Sequence, residues 1–418
     1  MQLCNITTKF AVNNTPSTSN IPQQQHDAYS DCWRRTSGYQ HREALAKNLT
    51  ESDKTDVVVL EKSAYFYHVV GAPRAYVDAS FMNKMFIPYD NAIPKNATKF
   101  VRIVRGVVTK ISAATNEILY HTIDNNDKES TSTTSLHFDN LVLAMGSTYT
   151  APIKQDIHDY ARSDHESKLQ DVRSHIETAN RILVVGGGAV GCEVAAEIKS
   201  KYPNKSVMLL EANARLISGS NLRDKFYVKL SASLADLGVK VILGERLSER
   251  MTGNGFETRT LYTNQGTAIE MDIQLLCGGF HPAAELVRDM NPNLVTERGA
   301  VKVNEQLQLD GASYAKMFAL GDVCNHSSQK MAFIAGEQGK FLAGELTAVI
   351  RKKKLGFTKP YTGMNTEALV LPLGPNGGVT QLPFFGGIVL GDWFTWMMKS
   401  RDYFAGQFWS NIGATAPK

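Results

Sequence analysis

The sequence lacks the cysteine patterns of disulphide-stapled, zinc-binding and dithiol proteins. It contains no C-x-x-C pair and no cysteine spacing typical of metal ligands. The cysteines form an odd and scattered set, which consists of Cys4, Cys32, Cys192, Cys277 and Cys324. We therefore predict a protein of a reducing compartment, without a metal site.

Long apolar runs, an export signal and an acylation site are missing as well. No run of about 18 apolar residues occurs, so no helix is expected to span a bilayer. The first residues lack the basic and apolar regions of a secretory signal, and Gln2 excludes N-myristoylation of the chain as written. These absences favour a cytoplasmic protein.

Blocks of like charge are also absent. The formal net charge is +4, from 45 basic and 41 acidic residues that are interspersed along the chain. No nucleic-acid partner is therefore expected. With 418 residues, of which 43% are hydrophobic, the chain is long enough for two or three domains, each with its own core.

What is present is a dinucleotide-binding motif in the middle of the chain. Residues 181–199 read RILVVGGGAVGCEVAAEIK, an apolar run followed by G-x-G-x-x-G and an alanine-rich helical pattern. The glycines allow a tight turn at Gly186, close approach of a pyrophosphate at Gly188 and close helix packing at Gly191. A second apolar run, SVMLLE, ends in Glu211, at the distance along the chain where an acid binds the ribose hydroxyls. The sequence predicts a βαβ nucleotide site here.

Glu211 also predicts the choice of nucleotide. A carboxylate that accepts a hydrogen bond from the ribose 2′-hydroxyl repels the 2′-phosphate of NADP. NADH is therefore the predicted cofactor. Arg215 follows four residues later and can pair with a phosphate, so NADPH stays an alternative.

A second acid ends a similar apolar run nearer the N-terminus, but no glycine motif precedes it. The strand pattern DVVVLE ends at Glu61, and only Gly38 stands upstream, in a polar stretch. We interpret residues 1–36 as a disordered or misassigned leader, and the first strand and glycine motif of this unit as missing. Gly38 is the candidate for the third glycine of an incomplete motif.

Two further segments flank the central motif, namely LVLAMGS at 141–147 and MFALGDV at 317–323. In this order, the segments resemble flavoproteins with two dinucleotide-binding domains, a family that includes glutathione-reductase-like enzymes. The tail MMKSRDYF, at 397–404, is similar to the apoptosis-inducing-factor-like branch and its ferroptosis-suppressor type of NAD(P)H:quinone oxidoreductase. Disulphide reductases of this fold need a redox-active cysteine pair, and its absence from the sequence argues against a thiol substrate.

The resemblance implies an α/β fold of two nested Rossmann-like dinucleotide-binding domains, followed by a C-terminal α+β segment. Residues 37–165 and 300–364 are expected to form the FAD-binding domain. Residues 166–299, inserted between them, are expected to bind NAD(P)H. Residues 365–418 are expected to lie near the flavin and the electron acceptor.

The resemblance also implies cofactor-binding residues outside the central motif. Glu61 is expected to bind the adenosine ribose of FAD, and Asp322 its ribityl chain or pyrophosphate. A structural turn is the alternative for Asp322, and core packing is the alternative for Val108, which the resemblance places behind the adenine. The other expected positions lie in turns after strands: Ala144, Gly146, Gly278, Gly279 and Gly321.

Three residues are expected to be catalytic by resemblance. Glu193 would face the nicotinamide and the flavin, while Lys399 and Phe404 would line the acceptor side of the flavin. The alternatives are a helix-terminal acid that stabilises the macrodipole, for Glu193, and a C-terminal helix docked on the core, for the tail. The expected reaction is hydride transfer from NADH to FAD and electron transfer to a quinone. The alternative function is a flavin-deficient NAD(P)H-binding sensor or interaction protein.

The segment 384–399, FFGGIVLGDWFTWMMK, is rich in apolar and aromatic residues. It is too short to span a bilayer, and Asp392 interrupts it. Two interpretations are open. The segment contacts a membrane or lipid-droplet surface peripherally, or it is buried against the flavin domain.

Overall fold

The structure, a computed structural model, combines helices with parallel and antiparallel strands. It describes residues 28–32, 36–156, 159–351, 356–357, 359–363 and 367–417, with side chains from residue 40 onward. Residues 1–27 of the predicted leader lie outside the described residues. The described helices are α1 Thr36–Asn48, α2 Ala72–Ala75, α3 Arg162–Thr178, α4 Ala189–Lys201, α5 Asp224–Leu237, α6 Glu285–Met290, α7 Ala332–Ile350, α8 Asp392–Thr395 and α9 Ala405–Asn411.

The strands fall into two large sheets and several small ones. In chain order they are β1 Ala28–Cys32, β2 Asp56–Glu61, β3 Tyr65–Tyr67, β4 Phe86–Pro88, β5 Val101–Ser112, β6 Glu117–Ile123, β7 Glu129–His137, β8 Asn140–Leu143, β9 Ser147–Thr148, β10 Arg181–Val185, β11 Ser206–Glu211, β12 Val239–Leu243, β13 Arg259–Tyr262, β14 Ala268–Met271, β15 Ile273–Leu276, β16 His281–Pro282, β17 Met317–Ala319, β18 Leu369–Pro372, β19 Gly378–Leu382 and β20 Ile388–Leu390.

The first large sheet belongs to the predicted FAD-binding domain. Its strands follow the order β17-β8-β1-β2-β5-β6-β7. The strands from β17 to β5 pair in parallel, and β6 and β7 extend the sheet as antiparallel strands. β2 carries an unbroken apolar run that is buried, as expected for a parallel strand covered on both faces. α1 packs against α7 and contacts β1.

The first strand of this domain is present, so our prediction that it is missing was wrong. β1 lies within the predicted leader and pairs in parallel with β2 on one side and β8 on the other. Its sequence, AYSDC, contains no Val, Ile or Leu, so local composition does not indicate a central strand. Hydrogen bonding to two neighbouring strands forms it, and this long-range pairing leaves no local pattern in the sequence.

The second large sheet is inserted into the first domain. Its strands, in the order β12-β11-β10-β15, are all parallel. The chain leaves the first sheet after β8, builds the second sheet and returns to the first with β17. The short strands β9 and β16, which lie on the two connecting segments, pair with each other. The predicted nesting of two dinucleotide-binding units is therefore confirmed.

The C-terminal segment forms a small antiparallel sheet followed by short helices. β18, β19 and β20 pair in sequence, and β18 and β19 form a hairpin. Leu371, Val379 and Tyr403 are buried in the same core as the second large sheet. A π-helical turn at Trp396–Ser400 separates α8 from the chain that leads into α9. This segment therefore packs against the inserted domain.

Candidate active site

The glycine loop of the inserted domain connects β10 to α4. Gly186 has a φ of +110°, in the left-handed region that favours glycine. A Cβ atom on Gly191 would lie 1.8 Å from the carbonyl oxygen of Gly186, so a side chain does not fit there. A Cβ atom on Gly188 would meet nothing within 4 Å. Gly188 therefore leaves open space at the N-terminus of α4, where backbone N–H groups can bind a pyrophosphate.

Glu211 ends β11 beside this loop and is buried. Its Oε2 accepts a hydrogen bond from the backbone N–H of Gly187, with an N–O distance of 2.6 Å. Its Oε1 accepts one from the N–H of Asn213 at 2.8 Å. These bonds hold the carboxylate at the glycine loop, where a ribose contact requires it. Arg215 stands with its guanidinium carbon 4.4 Å from the centre of the Tyr227 ring.

The turn after β15 borders the same loop. β15 pairs in parallel with β10, and the carbonyl oxygen of Cys277 would lie 2.6 Å from a Cβ atom on Gly186. Gly278 and Gly279 follow, and Gly279 has a φ of +61°. The structure therefore brings both predicted glycines to the carboxyl end of the sheet, beside the glycine loop.

The first domain repeats the spacing of this loop with different residues. β1 ends at Cys32 and α1 begins at Thr36. Gly38 is the third residue of α1, just as Gly191 is the third residue of α4. The connecting residues 33–35 are Trp-Arg-Arg in the sequence and lie outside the described residues. Gly38 is therefore placed in α1 as Gly191 is placed in α4, and it stays the candidate for the third glycine.

The ends of β8 and β17 meet beside each other in the first domain. Gly146, two residues beyond Ala144, has a φ of +67°, and Gly321 has a φ of +74°. Ser147 Oγ donates a hydrogen bond to Asp322 Oδ2 at 2.7 Å. The turns that the sequence predicted separately therefore form one cluster at the edge of the sheet.

Ser147 and Lys154 are functional candidates that the sequence analysis missed. Lys154 is buried, and its Nζ lies 3.4 Å from Asp322 Oδ2 and donates to the Ser147 carbonyl at 3.1 Å. A buried lysine is rare unless it is paired. The available signal was the lysine at the end of the stretch TYTAPIK, which directly follows the segment LVLAMGS.

The first domain fits FAD at the residues that the structure describes. Glu61 ends β2 and is buried, and its Oε1 accepts a hydrogen bond from Ser63 N at 3.0 Å. It takes the place in its unit that Glu211 takes in the other, where a carboxylate can bind ribose hydroxyls. Asp322 and Lys154 supply an acceptor and a donor at the turns after β8 and β17. Val108 is fully buried in the core of this domain, which the packing alternative also explains.

Glu193, which is buried, and Lys399, which is partly buried, form an ion pair. Glu193 lies in the second turn of α4, and Lys399 lies in the π-helical turn of the C-terminal segment. The Nζ of Lys399 donates to Glu193 Oε1 at 2.8 Å, and the side chains are 13% and 6% exposed. Burial raises the pKa of Glu193, and Lys399 partly offsets this effect. The structure therefore joins two predicted catalytic residues that are distant in the sequence.

Phe404 follows this turn and precedes α9. It has a φ of +63° and is half-buried, and its N–H donates to Asp402 Oδ1 at 3.0 Å. A bulky residue adopts this left-handed conformation only where its surroundings impose it. The position of Phe404 is therefore fixed by the packing of the tail.

A known protein family matches most of this chain. The model of the family described as pyridine nucleotide-disulphide oxidoreductase matches residues 38–339. The chain belongs to this family.

Individual relatives agree with this assignment. The oxidoreductase is 29% identical to ferroptosis suppressor protein 1 of Xenopus tropicalis, over 86% of this chain and 90% of that protein. It is 30% identical to apoptosis-inducing factor homolog B of Dictyostelium discoideum, over 89% and 94%. In fold it is similar to sulfide:quinone oxidoreductase of Aquifex aeolicus, with a TM-score of 0.69, 11% identity and coverage of 92% and 91%. The predicted resemblance, α/β fold and cofactors, FAD and NAD(P)H, are confirmed.

The cysteines of this oxidoreductase do not form a reactive pair among the side chains that the structure describes. Cys192, Cys277 and Cys324 are free thiols, and all three are buried. Burial raises the pKa of the Cys192 thiol and raises that of Cys277 to about 12. A neutral thiol is a poor nucleophile. Cys192 is therefore a packing residue at the start of α4.

Within the described ranges, this family member has no helix that is both long and apolar enough to cross a membrane.

Proposed function

We propose that the protein is an FAD-dependent NAD(P)H oxidoreductase that delivers electrons to a quinone-type acceptor. The observation that carries the proposal is the ion pair between the buried Glu193, in the helix that follows the nucleotide loop, and Lys399, from the C-terminal segment. When FAD is bound, it accepts the hydride of the reduced nicotinamide and passes the electrons on. The flavin-deficient sensor has no use for a buried acid and base at this place, so the enzyme is the better explanation.

In this proposal, Glu193 and Lys399 form the acid–base pair of the active site. A raised pKa brings the Glu193 carboxyl nearer to neutral pH, where an acid–base group works best. Lys399 holds the carboxyl in one place and stabilises its ionised form. Glu193 then either holds the carboxamide of the nicotinamide or passes protons towards the reduced quinone. Phe404 offers a half-buried ring on which a planar quinone can stack.

We expect NADH to be used more efficiently than NADPH, with kcat/KM higher by about 10-fold. The Glu211 carboxylate, held at the glycine loop, repels a 2′-phosphate by an amount that corresponds to about 1.4 kcal/mol at partly screened distances. Steady-state kinetics with both nucleotides measure the ratio. Glu211→Ser, which keeps Arg215, should reduce it. A kcat/KM for NADPH above that for NADH would contradict the assignment of Glu211.

The proposal as a whole is tested by the colour of the purified protein. Protein reconstituted with FAD should be yellow, and NADH should bleach the flavin absorbance under anaerobic conditions. Adding a soluble quinone should then restore the absorbance. Colourless protein that still binds NADH would favour the sensor instead.

We further propose a cytoplasmic location with peripheral contact to a membrane or lipid-droplet surface. An aromatic patch is exposed on the C-terminal segment, with Phe385 90% and Trp393 71% accessible. These exposures disfavour the alternative in which the segment is buried. The backbone next to these residues is held by Arg223, the residue that precedes α5, because Arg223 Nε donates to the carbonyl of Gly386 at 2.6 Å. The patch consists of Phe384, Phe385, Ile388, Trp393, Trp396, Met397 and Met398.

Removing aromatic rings from this patch should weaken binding to liposomes. Phe385→Ser and Trp393→Ser should each lower the affinity for liposomes by about 10-fold, because burying such a ring contributes about 1.5–3 kcal/mol. The fraction of protein that floats with the liposomes should fall accordingly. Flotation with liposomes that contain anionic lipid measures the effect. Tyr262→Ser is the matched control, because Tyr262 is 57% exposed on β13, outside the patch. Wild-type protein that stays in solution would remove the membrane proposal.

A further inference from the structure

A second buried ionic contact lies next to the pair of Glu193 and Lys399. Arg74, in α2, donates from Nε to Glu197 Oε2 at 2.6 Å and from Nη2 to Glu197 Oε1 at 2.8 Å. Tyr403 donates from its hydroxyl to the same Oε1 at 3.0 Å. The three residues are 7%, 1% and 0% exposed. We call Arg74, Glu197 and Tyr403 the anchor cluster.

The anchor cluster joins the same two elements as the active pair. Glu197 follows Glu193 by one turn of α4, and Tyr403 follows Lys399 by four residues. The N–H of Tyr403 donates to the carbonyl of Lys399 at 2.6 Å, and Lys399 Nζ lies 5.5 Å from the centre of the Tyr403 ring. Displacement of Tyr403 would therefore move Lys399 directly.

The backbone of the tail between these contacts departs from regular α-helical geometry. The N–H of Arg401 bonds to the carbonyl of Trp396 at 3.3 Å, which is the wider turn of a π-helix. Tyr403 has a φ of +52°, a conformation that a bulky residue keeps only under external constraint. Two contacts from the segment after β3 supply that constraint. Arg74 Nη2 donates to the Ser400 carbonyl at 2.9 Å, and His68 Nε2 lies 2.9 Å from the Tyr403 carbonyl.

The electrostatics of the cluster favour one fixed arrangement. Burial alone would lower the pKa of Arg74, but its bonds with Glu197 outweigh this and raise it, so the guanidinium stays charged. A buried charge that loses its partner is strongly unfavourable, so Arg74 and Glu197 hold each other in place. Burial raises the pKa of Tyr403 well above its usual value, so its hydroxyl keeps the proton that it donates.

We propose that Arg74, Glu197 and Tyr403 are positioning residues that hold the Lys399 amine against the Glu193 carboxyl. The inference rests on the proposed function, because it takes Glu193 and Lys399 as the working acid–base pair. The cluster acts through Lys399 and touches neither nucleotide nor acceptor in this scheme. The segment after β3, which carries no chemistry in the proposed function, thereby sets the geometry of the tail.

This positioning has a consequence for pH dependence. The groups that influence Glu193 are Lys399, Glu197, Cys192, Tyr149 and Tyr403. Burial raises the pKa values of Cys192, Tyr149 and Tyr403, so all three are neutral at pH 7. Lys399 lowers the pKa of Glu193, and withdrawing its amine must raise it. A loosened tail should therefore move the acid limb of the pH profile to higher pH.

The test is Tyr403→Phe, which removes one hydroxyl and keeps the ring. At neutral pH, kcat should fall by about 10-fold, the effect of losing one hydrogen bond to a charged group. The acid limb of kcat/KM should shift to higher pH, and hydrogen exchange in residues 396–404 should become faster. Tyr202→Phe is the matched control at the end of α4, because its hydroxyl lies 3.5 Å from Glu177 at the surface. It should change none of the three readouts.

Glu197→Gln provides a second, independent perturbation, which should speed up hydrogen exchange in residues 396–404. Its effect on the acid limb is the sum of two opposed changes, because loss of the Glu197 charge itself lowers the pKa of Glu193 while a loosened tail raises it. If the cluster had a purely structural role, its variants would lower activity by the same factor at every pH, and the acid limb of the kcat/KM profile would not shift. The inference is overturned if both variants keep the wild-type pH profile and the wild-type exchange in residues 396–404. Failure of the proposed function gives a different result, in which Glu193→Gln turns over like wild type while hydrogen exchange still responds to Tyr403→Phe.

Discussion

Replacing Glu193 by glutamine should lower kcat by about 100- to 1,000-fold, within the range that positioned acid–base groups contribute. Glutamine keeps the volume of the side chain and an oxygen that accepts from the Lys399 amine, but it neither exchanges a proton nor forms an ion pair. FAD should stay bound, because Glu193 lies in the inserted domain. Stopped-flow and steady-state oxidation of NADH measure the rates, and flavin absorbance per protein measures the occupancy.

Two companion variants complete this experiment. Lys399→Met should lower kcat and move the acid limb of the pH profile upward, because burial then raises the pKa of Glu193 without opposition. Glu166→Gln is the control for a loss of charge, because Glu166 pairs with Arg162 on the surface of α3. It should leave kcat within about twofold of wild type. A wild-type kcat for Glu193→Gln would return Glu193 to the role of a helix-terminal acid.

Replacing Gly188 by alanine should weaken NADH binding by at least about 100-fold, or about 2.7 kcal/mol, without affecting folding. The backbone of Gly188 has a φ of −70° and a ψ of 180°, which alanine adopts readily. A Cβ atom there meets no protein atom within 4 Å. The methyl group would instead occupy the space through which a pyrophosphate approaches the backbone. Calorimetry of NADH binding and thermal unfolding separate the two effects.

Gly191→Ala provides the contrast, because its Cβ atom collides with the chain itself. The predicted position lies 1.8 Å from the carbonyl oxygen of Gly186. The turn must therefore move, and both NADH binding and the melting temperature should fall. If Gly188→Ala bound NADH like wild type, the pyrophosphate would not lie at the N-terminus of α4, and the nucleotide would have to be placed elsewhere.

The sequence alone was enough to predict features that depend on residues close together in the chain. The glycine spacing from Gly186 to Gly191 and the acid at Glu211 lie in one continuous βαβ unit, so each supports the other. The hairpin of β18 and β19 was also local, since a glycine-rich turn separates two apolar runs. β1 escaped prediction because its identity as a strand depends on two partners, β2 and β8, that are distant in the sequence.

The site was only partly accessible to sequence analysis for a similar reason. Glu193 and Lys399 were each named from a resemblance, but their direct contact depends on how the tail folds back onto α4. Lys154 and Arg74 were missed, because a single basic residue in a chain with 45 of them has no distinctive local pattern. Their burial and their carboxylate partners distinguish them, and both are properties of the tertiary structure.

The insertion of one domain into the other has a consequence for biosynthesis. β17 occupies one edge of the first sheet, and α7 packs on α1, yet both emerge after the entire inserted domain has been translated. The parallel sheet of the inserted domain can form on the ribosome once its last strand, β15, is available, although the C-terminal segment completes its core later. The surrounding domain must wait with an unpaired strand edge at β8 until residue 319 has left the exit tunnel. During translation, the glycine loop and Glu211 therefore form before the first sheet is complete, and the edge of β8 is the surface that stays exposed in the interval.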